Sequence, residues 1–297
     1  MVRLKKADLR EHIHQSSKGN QLKWEKDGIW YKADYTGYEG LAEYMVSQLL
    51  RYSTLDAKEY VLYETEQIAY ADHEYLGCSS QDFREDKEWQ VITAERLFRR
   101  KYNQSMYISM FRIREPEERL KFMVDQVVRM TGLSDFGQYM SKLITIDALF
   151  LNEDRHTHNI AFLWDGYDEY RYCPIFDQGA SLLADTTVDY PMEKDVIDLV
   201  GTVGAKTFSR SFEEQLDIAE RLYGDTIRFR YGERDIRELL ERDQVYAVDV
   251  KKRVYTVLMQ QRRKYQYLFK QRNYSESLNT RKSVIPCLHV DNRLSCL

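Results

Sequence analysis

The chain has 297 residues, 43% of them hydrophobic and 31% charged, which is enough apolar material for one large domain or two modest ones. Its 44 basic and 48 acidic residues are intermixed and give a net charge of -4, which argues against a nucleic-acid-binding surface. No apolar run approaches the length of a membrane span, and the basic N-terminus has no apolar segment of the secretory type. Four widely spaced cysteines indicate reduced thiols, so we expect a cytoplasmic protein.

The first hundred residues predict a mixture of strands and one helix. Two alternating segments flank Asp27-Gly28, a pattern that is typical of a β-hairpin. Residues 40–53 predict a helix because their apolar side chains recur at close to helical spacing. Residues 59–70 and 88–98 are interpreted as further strands.

From about Arg99 the sequence predicts helices. A first amphipathic helix ends at Gly132, which is suited to a C-cap, and a strongly apolar helix follows it. Ser211 and Glu214 form a capping-box pattern at the start of another helix, which is expected to stop at Gly224.

These patterns predict an α+β fold in which a small β-rich lobe is joined to a larger, mainly helical lobe near residues 92–99. The expected boundaries are 1–98 for the small lobe and 99–273 for the helical lobe. Residues 274–297 lack periodicity and are rich in Ser, Asn and Arg, so we expect a poorly ordered tail.

Polar side chains are concentrated between two apolar runs in "FLNEDRHTHNIAFL", residues 150–163. His156 and His158 suggest a zinc site, but zinc needs at least one further ligand, for which Cys173 is a lone candidate. The zinc hypothesis is therefore the weaker interpretation, and His156 is interpreted as a structural residue.

A phosphoryl-transfer site uses other residues of the same stretch. In kinase-type sites an Asp orients the attacking hydroxyl, an Asn a few residues later holds a metal ion, and a second Asp follows a short strand pair. Asp154 and Asn159 have this spacing, and a hairpin around Asp165-Gly166 would bring Asp177 back beside Asn159. Because Mg²⁺ prefers carboxylate and amide oxygens, Asn159 and Asp177 are the predicted metal ligands.

The string "DRHTHNI" followed by "FDQG" resembles the paired D-R-H-x-x-N-I and D-F-G motifs of HipA-like protein kinases, and phosphoinositide lipid kinases share the first motif. "SSKGNQLKW" resembles the Ser-rich phosphate loop of the HipA-like family, with Gly19, Gln21 and Lys23 at the matching positions. The resemblance implies that Lys32 binds the nucleotide and that Glu43 holds this lysine. Lys23 or Lys26 could compete with Lys32, and Glu39 with Glu43.

The resemblance has three further implications. "VITAERLFRR" resembles the hinge of the family, so the backbone at Ala94 to Leu97, including Glu95, is expected to contact adenine. Ser16 is the implied site of autophosphorylation. The chain is expected to belong to the compact, stand-alone HipA-like kinases without the N-terminal subdomain of the long toxins, and Gln178 replaces the Phe of ordinary kinases.

The sequence as a whole thus predicts a bilobal, protein-kinase-like fold with ATP and Mg²⁺ in its cleft. The resemblance implies a serine/threonine protein kinase, in which Asp154 orients or deprotonates the acceptor hydroxyl. The protein substrate is not identified by the sequence, and neither a nucleic acid nor a membrane is expected as a partner. A kinase that acts on a lipid or a small molecule and a nucleotide-binding pseudokinase are the alternatives.

Overall fold

The computed structural model describes residues 1–10, 21–84 and 86–269. Its strands are β1 (Val2–Arg3), β2 (Lys23–Lys26), β3 (Ile29–Ala33), β4 (Glu64–Tyr70), β5 (His73–Gln81), β6 (Gln90–Thr93), β7 (Ala161–Trp164) and β8 (Tyr170–Tyr172). Its α-helices are α1 (Glu39–Leu50), α2 (Ala94–Tyr102), α3 (Met106–Phe111), α4 (Pro116–Thr131), α5 (Phe136–Phe150), α6 (Val196–Val200), α7 (Phe212–Tyr223), α8 (Glu233–Arg242) and α9 (Val248–Lys264). Within these residues no helix has the length and apolar character needed to cross a membrane. The predicted tail lies outside the described residues.

The small lobe is built on a five-stranded sheet of order β1-β4-β5-β3-β2. The predicted hairpin joins β2 and β3, which pair antiparallel. Asp27 and Gly28 form its turn with φ values of 54° and 79°, the left-handed conformation that suits a two-residue hairpin. Trp24, which is fully buried, packs with its cross-strand neighbour Tyr31 and fixes the register of the hairpin.

Helix α1 packs directly against the small sheet, and it ends at Leu50, three residues before the predicted end. The helix and β5 approach closely at Gly40 and Gly77, where a Cβ on Gly40 would lie 2.4 Å from the carbonyl carbon of Gly77. A side chain at Gly40 would push α1 away from the sheet. Since α1 carries Glu43, this close approach determines where that carboxylate lies.

The helical lobe is organised around α5, which contacts α4, α7 and α9. The predicted C-terminal ends of α4 and α7 agree with the structure. Helix α4 ends at Gly132, whose φ of 76° is left-handed, and α7 is followed by Gly224. Ser211 caps α7 by accepting a hydrogen bond from the backbone N–H of Glu214. The carboxylate of Glu214 contacts the hydroxyl of Ser209, so the reciprocal half of the capping box is not formed.

The prediction of a strand over residues 88–98 was wrong beyond Thr93. There the hydroxyl of Thr93 accepts a hydrogen bond from the N–H of Arg96 and starts α2 at Ala94. The short strand β6 pairs with β7, and β7 pairs with β8, so these three strands form a second sheet in the helical lobe. We therefore propose that the chain crosses between the lobes directly before β6.

A buried ion pair joins α5 to the polar segment that follows it. Asp147 and Arg155 are each only 2% exposed, and Nε of Arg155 lies 3.0 Å from Oδ2 of Asp147. Burial raises the pKa of Asp147, although Arg155 and a hydrogen bond from Asn152 oppose this rise. Each charge compensates the other for the water that both have lost. Removing the charge of one partner would therefore leave the other buried and uncompensated, at a large cost in folding free energy.

The loop between α8 and α9 docks on the small sheet and connects the two lobes behind α1. Oδ1 of Asp243 accepts a hydrogen bond of 2.8 Å from the hydroxyl of Thr65 on β4. The hydroxyl of Tyr246 donates to Oδ2 of Asp34 at 2.8 Å, and the N–H of Gly40 donates to the other oxygen of Asp34. Burial and the nearby Glu39 raise the pKa of Asp34 to about 7, against the lowering effect of these hydrogen bonds.

Substitution Asp147→Asn should destabilise the protein by about 3–5 kcal/mol, because it leaves the guanidinium of Arg155 buried without a counter-charge. Urea unfolding monitored by circular dichroism measures this free energy. Glu238→Gln, which breaks the exposed ion pair with Arg234 on α8, is the matched control and should have little effect. Equal stabilities for the two variants would contradict the role given to the buried pair.

Stability should fall as pH rises from about 4 to about 7 because of Asp34. Its pKa is about 7 in the folded state and about 3.9 in an unfolded chain, so within this window the folded state retains a proton that the unfolded state has lost. Asp34→Asn removes this contribution. The unfolding free energy of the wild type, relative to Asp34→Asn, should therefore decrease between pH 5 and pH 8.

Urea unfolding at several pH values tests this dependence. Asp125→Asn, at an exposed position on α4, serves as the control and should follow the wild-type pH profile. Parallel profiles for wild type and Asp34→Asn would show that Asp34 does not titrate in this range.

Candidate active site

A cavity between the two lobes collects most of the polar residues that the sequence predicts to act together. It is lined by Gln21, Tyr35, Thr36, Glu39, Glu43, Asp154, Asn159, Asp177, Gly179, Ala180 and Asp185. Predicted residues from the phosphate loop, α1, the Asp154 loop and the segment after β8 therefore meet in one place. Gly19 and Ser16 lie outside the described residues.

Lys32 forms ion pairs with two of the carboxylates that line this cavity. Its Nζ lies 2.7 Å from Oε1 of Glu43 and 2.9 Å from Oδ1 of Asp177, so it joins β3, α1 and the segment after β8. Burial alone would lower the pKa of Lys32, but the carboxylates of Asp177 and Glu43 raise it well above the usual value. Lys32 is thus charged, and it is held in place by two carboxylates.

The competing residues have other positions or partners. Both carboxylate oxygens of Glu39 accept backbone N–H bonds from residues 35–37, so Glu39 fixes the turn before α1 and Glu43 is the residue that pairs with Lys32. Nζ of Lys26 contacts the carbonyl of Arg3. Lys23 pairs with Lys32 across the β2–β3 ladder, and burial together with the charge of Lys32 lowers the pKa of Lys23.

Asp177 has an unusual backbone conformation as well as a paired side chain. Its φ of 63° is left-handed, which costs roughly 1–3 kcal/mol for a residue other than glycine unless the surroundings impose it. Burial would raise the pKa of Asp177, but Lys32 and Lys23 hold it well below the ordinary value. The next N–H, that of Gln178, donates to Oε2 of Glu43 at 2.8 Å, and this bond helps to impose the turn.

Arg155 connects the parts of the loop that carry Asp154 and Asn159. Besides its pair with Asp147, its Nη1 donates to the carbonyl oxygens of Asn159 at 3.1 Å and Phe176 at 3.4 Å. One buried guanidinium therefore fixes the residue before Asp177 and the backbone of Asn159 relative to α5.

Asn152 and Gln178 extend this network. Nδ2 of Asn152 donates to Oδ1 of Asp147 at 3.1 Å and to Oε1 of Gln178 at 3.0 Å, while Oδ1 of Asn152 accepts the N–H of Asp154 at 3.2 Å. Gln178, at the position of the Phe of ordinary kinases, is thus a polar link between the Asp154 loop and Asp177.

The two oxygens of Asp154 face different partners. Nδ2 of Asn159 donates to Oδ2 of Asp154 at 3.2 Å and to its carbonyl oxygen at 2.7 Å. Nζ of Lys206 lies 3.5 Å from Oδ1, and Nε2 of His156 lies 3.8 Å from the same atom. Because Nδ2 of Asn159 is used in these bonds, its amide oxygen is the atom that remains to bind a metal ion.

The two histidines do not form the centre of the site. Nδ1 of His156 accepts the N–H of His158 at 3.2 Å, and burial lowers the pKa of His156, so this ring is largely neutral. His158 is exposed. In the part of the chain that the structure describes, no group of three or more His, Cys, Asp or Glu residues is arranged to hold a metal ion, and the zinc hypothesis gains no support.

The structure does not bring Glu95 and Leu97 to the cavity, in contrast to the expected adenine contact. Both are buried in α2, and the N–H groups of Ala94 and Glu95 donate to the carbonyls of Ile160 and Thr157. The carboxylate of Glu95 accepts the Thr157 hydroxyl at 3.0 Å. These bonds attach the start of α2 to the Asp154 loop. The N–H groups of Ala94 and Glu95 are therefore already hydrogen-bonded within the protein.

Sequence reasoning missed several residues that build the site. Asp147 is a lone carboxylate inside a strongly apolar helix, and such a residue is a signal for a buried polar partner. Asn152 lies two positions before Asp154 and outside the motif that begins there. Lys206 lies far along the chain in an irregular segment, and nothing in its local sequence indicates contact with Asp154.

No protein-family model matches the sequence, and a search of curated proteins finds no match. Among solved structures, the proinflammatory kinase CtkA of Helicobacter pylori is similar with a TM-score of 0.60 and 13% identity, covering 96% of this chain and 99% of that chain. HipA of Shewanella oneidensis MR-1, solved with HipB and operator DNA, gives a TM-score of 0.36 at 12% identity, covering 81% of this chain and 59% of that chain. The similarity to the CtkA structure confirms the predicted fold: the chain has the α+β architecture of a kinase.

Proposed function

We propose that this protein is an ATP-dependent kinase that transfers the γ-phosphoryl group to a hydroxyl. The observation that carries the proposal is the double ion pair of Lys32 with Glu43 and Asp177, at 2.7 and 2.9 Å, because these two carboxylates line one cavity together with Asp154 and Asn159. A charged lysine held by a helix carboxylate, next to an Asp that can bind a metal ion, is the arrangement that kinases use to hold ATP phosphates.

The residues fit a Mg²⁺ ion. Asn159 and Asp177 supply an amide oxygen and a carboxylate oxygen to the same cavity, and Mg²⁺ prefers oxygen ligands. When bound, Mg²⁺-ATP supplies the electrophilic phosphorus and a partly neutralised polyphosphate. Lys32 would then bind phosphate oxygens, and Gln21 and Lys23 would bind them from the strand above.

An apolar surface for the purine is available next to Lys32. Val61, Tyr63 and Cys78 form a small buried cluster against which Phe83 and Phe176 pack. Phe83 lies in the segment between β5 and β6, and its ring centroid is 5.4 Å from that of Phe176. We place adenine against these two half-buried rings rather than at the start of α2.

Transfer requires only positioning and charge stabilisation. Asp154 accepts the proton of the acceptor hydroxyl as the oxygen forms its bond to the γ-phosphorus. The bond from that phosphorus to the bridging oxygen breaks, and ADP leaves with the electron pair. The buried network around Arg155 keeps Asp154 in place, which matters because small displacements of a catalytic group reduce the rate strongly.

The acceptor that we propose is a Ser or Thr hydroxyl on a protein, with autophosphorylation at Ser16 as one instance. Support comes from the sequence resemblance to HipA-like kinases. Lipids and small molecules carry the same hydroxyl chemistry, so they are included in the test below.

Asp154→Asn should lower phosphoryl transfer by roughly 10²–10⁴-fold, because the variant keeps the shape of the side chain but cannot accept the proton. Transfer is measured with γ-labelled ATP and three sets of acceptors: proteins including the enzyme itself, lipids and metabolites. Asp125→Asn at an exposed position is the control and should retain full activity. If Asp154→Asn is as active as wild type, Asp154 is not the catalytic residue.

Mg²⁺ should increase the stabilisation that ATP gives to the wild type, and Asp177→Asn should remove the Mg²⁺-dependent part of this increase. A ligand at 100 times its Kd stabilises the folded state by about 2.7 kcal/mol. Thermal unfolding with ATP in Mg²⁺ or in EDTA measures the difference. An identical Mg²⁺-dependent shift in wild type and Asp177→Asn would contradict the assignment of Asp177 as a metal ligand.

A further inference from the structure

Lys206 is a cation at the candidate active site that the sequence motifs do not include. It lies in the segment between α6 and α7, and its Nζ is 3.5 Å from Oδ1 of Asp154. The side chain of Lys206 is 45% exposed and that of Asp154 only 10%. The ammonium group therefore stands at the solvent side of the candidate base, where an acceptor and the terminal phosphate of ATP would meet.

The segment around Lys206 is firmly attached to the helical lobe. The N–H of Ala205 donates to the carbonyl of Arg210 at 2.9 Å, and the hydroxyl of Thr207 donates to the carbonyl of Arg155 at 2.7 Å. Phe208 is fully buried, and its carbonyl accepts a 3.0 Å bond from Arg119. Since its neighbours are buried and bonded while Lys206 itself is half-exposed, the segment presents this lysine towards Asp154.

Two other cations of this region are engaged in ion pairs of their own, which leaves Lys206 as a cation that can act beside Asp154. Arg155 follows Asp154 in sequence, but its guanidinium is buried against Asp147 and cannot reach the cavity. Lys206 and His156 both face Oδ1 of Asp154, and Nζ of Lys206 at 3.5 Å lies nearer to it than Nε2 of His156 at 3.8 Å. Lys32 is already paired with Glu43 and Asp177.

We propose that Lys206 is a further catalytic residue, which binds an oxygen of the terminal phosphate of ATP while it remains in contact with Asp154. The proposal rests on the kinase function proposed above. The transferred group carries negative charge on three oxygens, and a cation directed at this charge lowers the barrier. Lys206 keeps its proton throughout: it donates a hydrogen bond, and Asp154 takes the proton of the acceptor.

Binding of ATP and ADP tests this role without an identified acceptor. Calorimetric titrations in Mg²⁺ buffer give both affinities for the wild type, Lys206→Ala, Lys206→Met and Lys206→Arg. A charge-assisted hydrogen bond is worth roughly 1.5–3 kcal/mol, so Lys206→Ala and Lys206→Met should lose about tenfold or more in ATP affinity and little in ADP affinity. Lys206→Arg should recover most of the loss.

Lys252→Ala, at an exposed position on α9, is the control and should bind both nucleotides like the wild type. Lys206→Met keeps the apolar stem of the side chain, so a loss of ATP affinity shared by Met and Ala but not by Arg reports on the charge. With an acceptor identified, the same variants should lower kcat more than the KM of the acceptor.

Two negative results are distinguishable. If the wild type binds ATP but Lys206→Ala and Lys206→Met keep its ratio of ATP to ADP affinity, Lys206 does not contact the terminal phosphate, and the kinase proposal is unaffected. If the wild type binds neither nucleotide, both proposals are wrong.

Discussion

The candidate active site depends on one buried ion pair, between Asp147 and Arg155. Two charges removed from water are stable only while they are paired and fully hydrogen-bonded, so their geometry is strongly constrained. Arg155 uses its remaining donor group on the carbonyls of Asn159 and Phe176, which belong to the two segments that carry the metal-binding candidates. The apolar helix α5, which carries Asp147, thus fixes the position of the Asp154 loop through Arg155.

Lys32 performs the corresponding task between the lobes. One cation bonded to Glu43 from α1 and to Asp177 from the helical lobe makes the position of each lobe depend on the other. The close contact of α1 with β5 at Gly40, together with the docking of the α8–α9 loop, restricts where Glu43 lies. Lys32 can form both ion pairs only because the packing of α1 and of the α8–α9 loop has already fixed the position of Glu43.

Much of this site could be predicted because its residues occur in short motifs with fixed spacing. Asp154 and Asn159 are five positions apart in one loop, and a hairpin returns the chain so that Asp177 lies near them. Local geometry alone therefore predicts that these three residues share one site. The resemblance to the hinge at residues 94–97 gives no sign that Thr93 starts helix α2 there, or that the N–H groups of Ala94 and Glu95 bond to the carbonyls of Ile160 and Thr157. Lys206 could not be predicted, since its contact with Asp154 depends on packing of segments about 50 residues apart.

The charge of the cavity bears on how a nucleotide can enter it. The acidic residues Glu39, Glu43, Asp154, Asp177 and Asp185 line it together, and under the proposed function they would face the phosphates of ATP, which are also negative. At the few ångströms that separate such groups, like charges in a partly buried site repel each other by several kcal/mol. A nucleotide bound here as proposed would therefore bring cations with it or meet further ones at the site. The acidity of the cavity in this way favours a metal-bound nucleotide, and it gives a physical reason for a second lysine on the side of the acceptor.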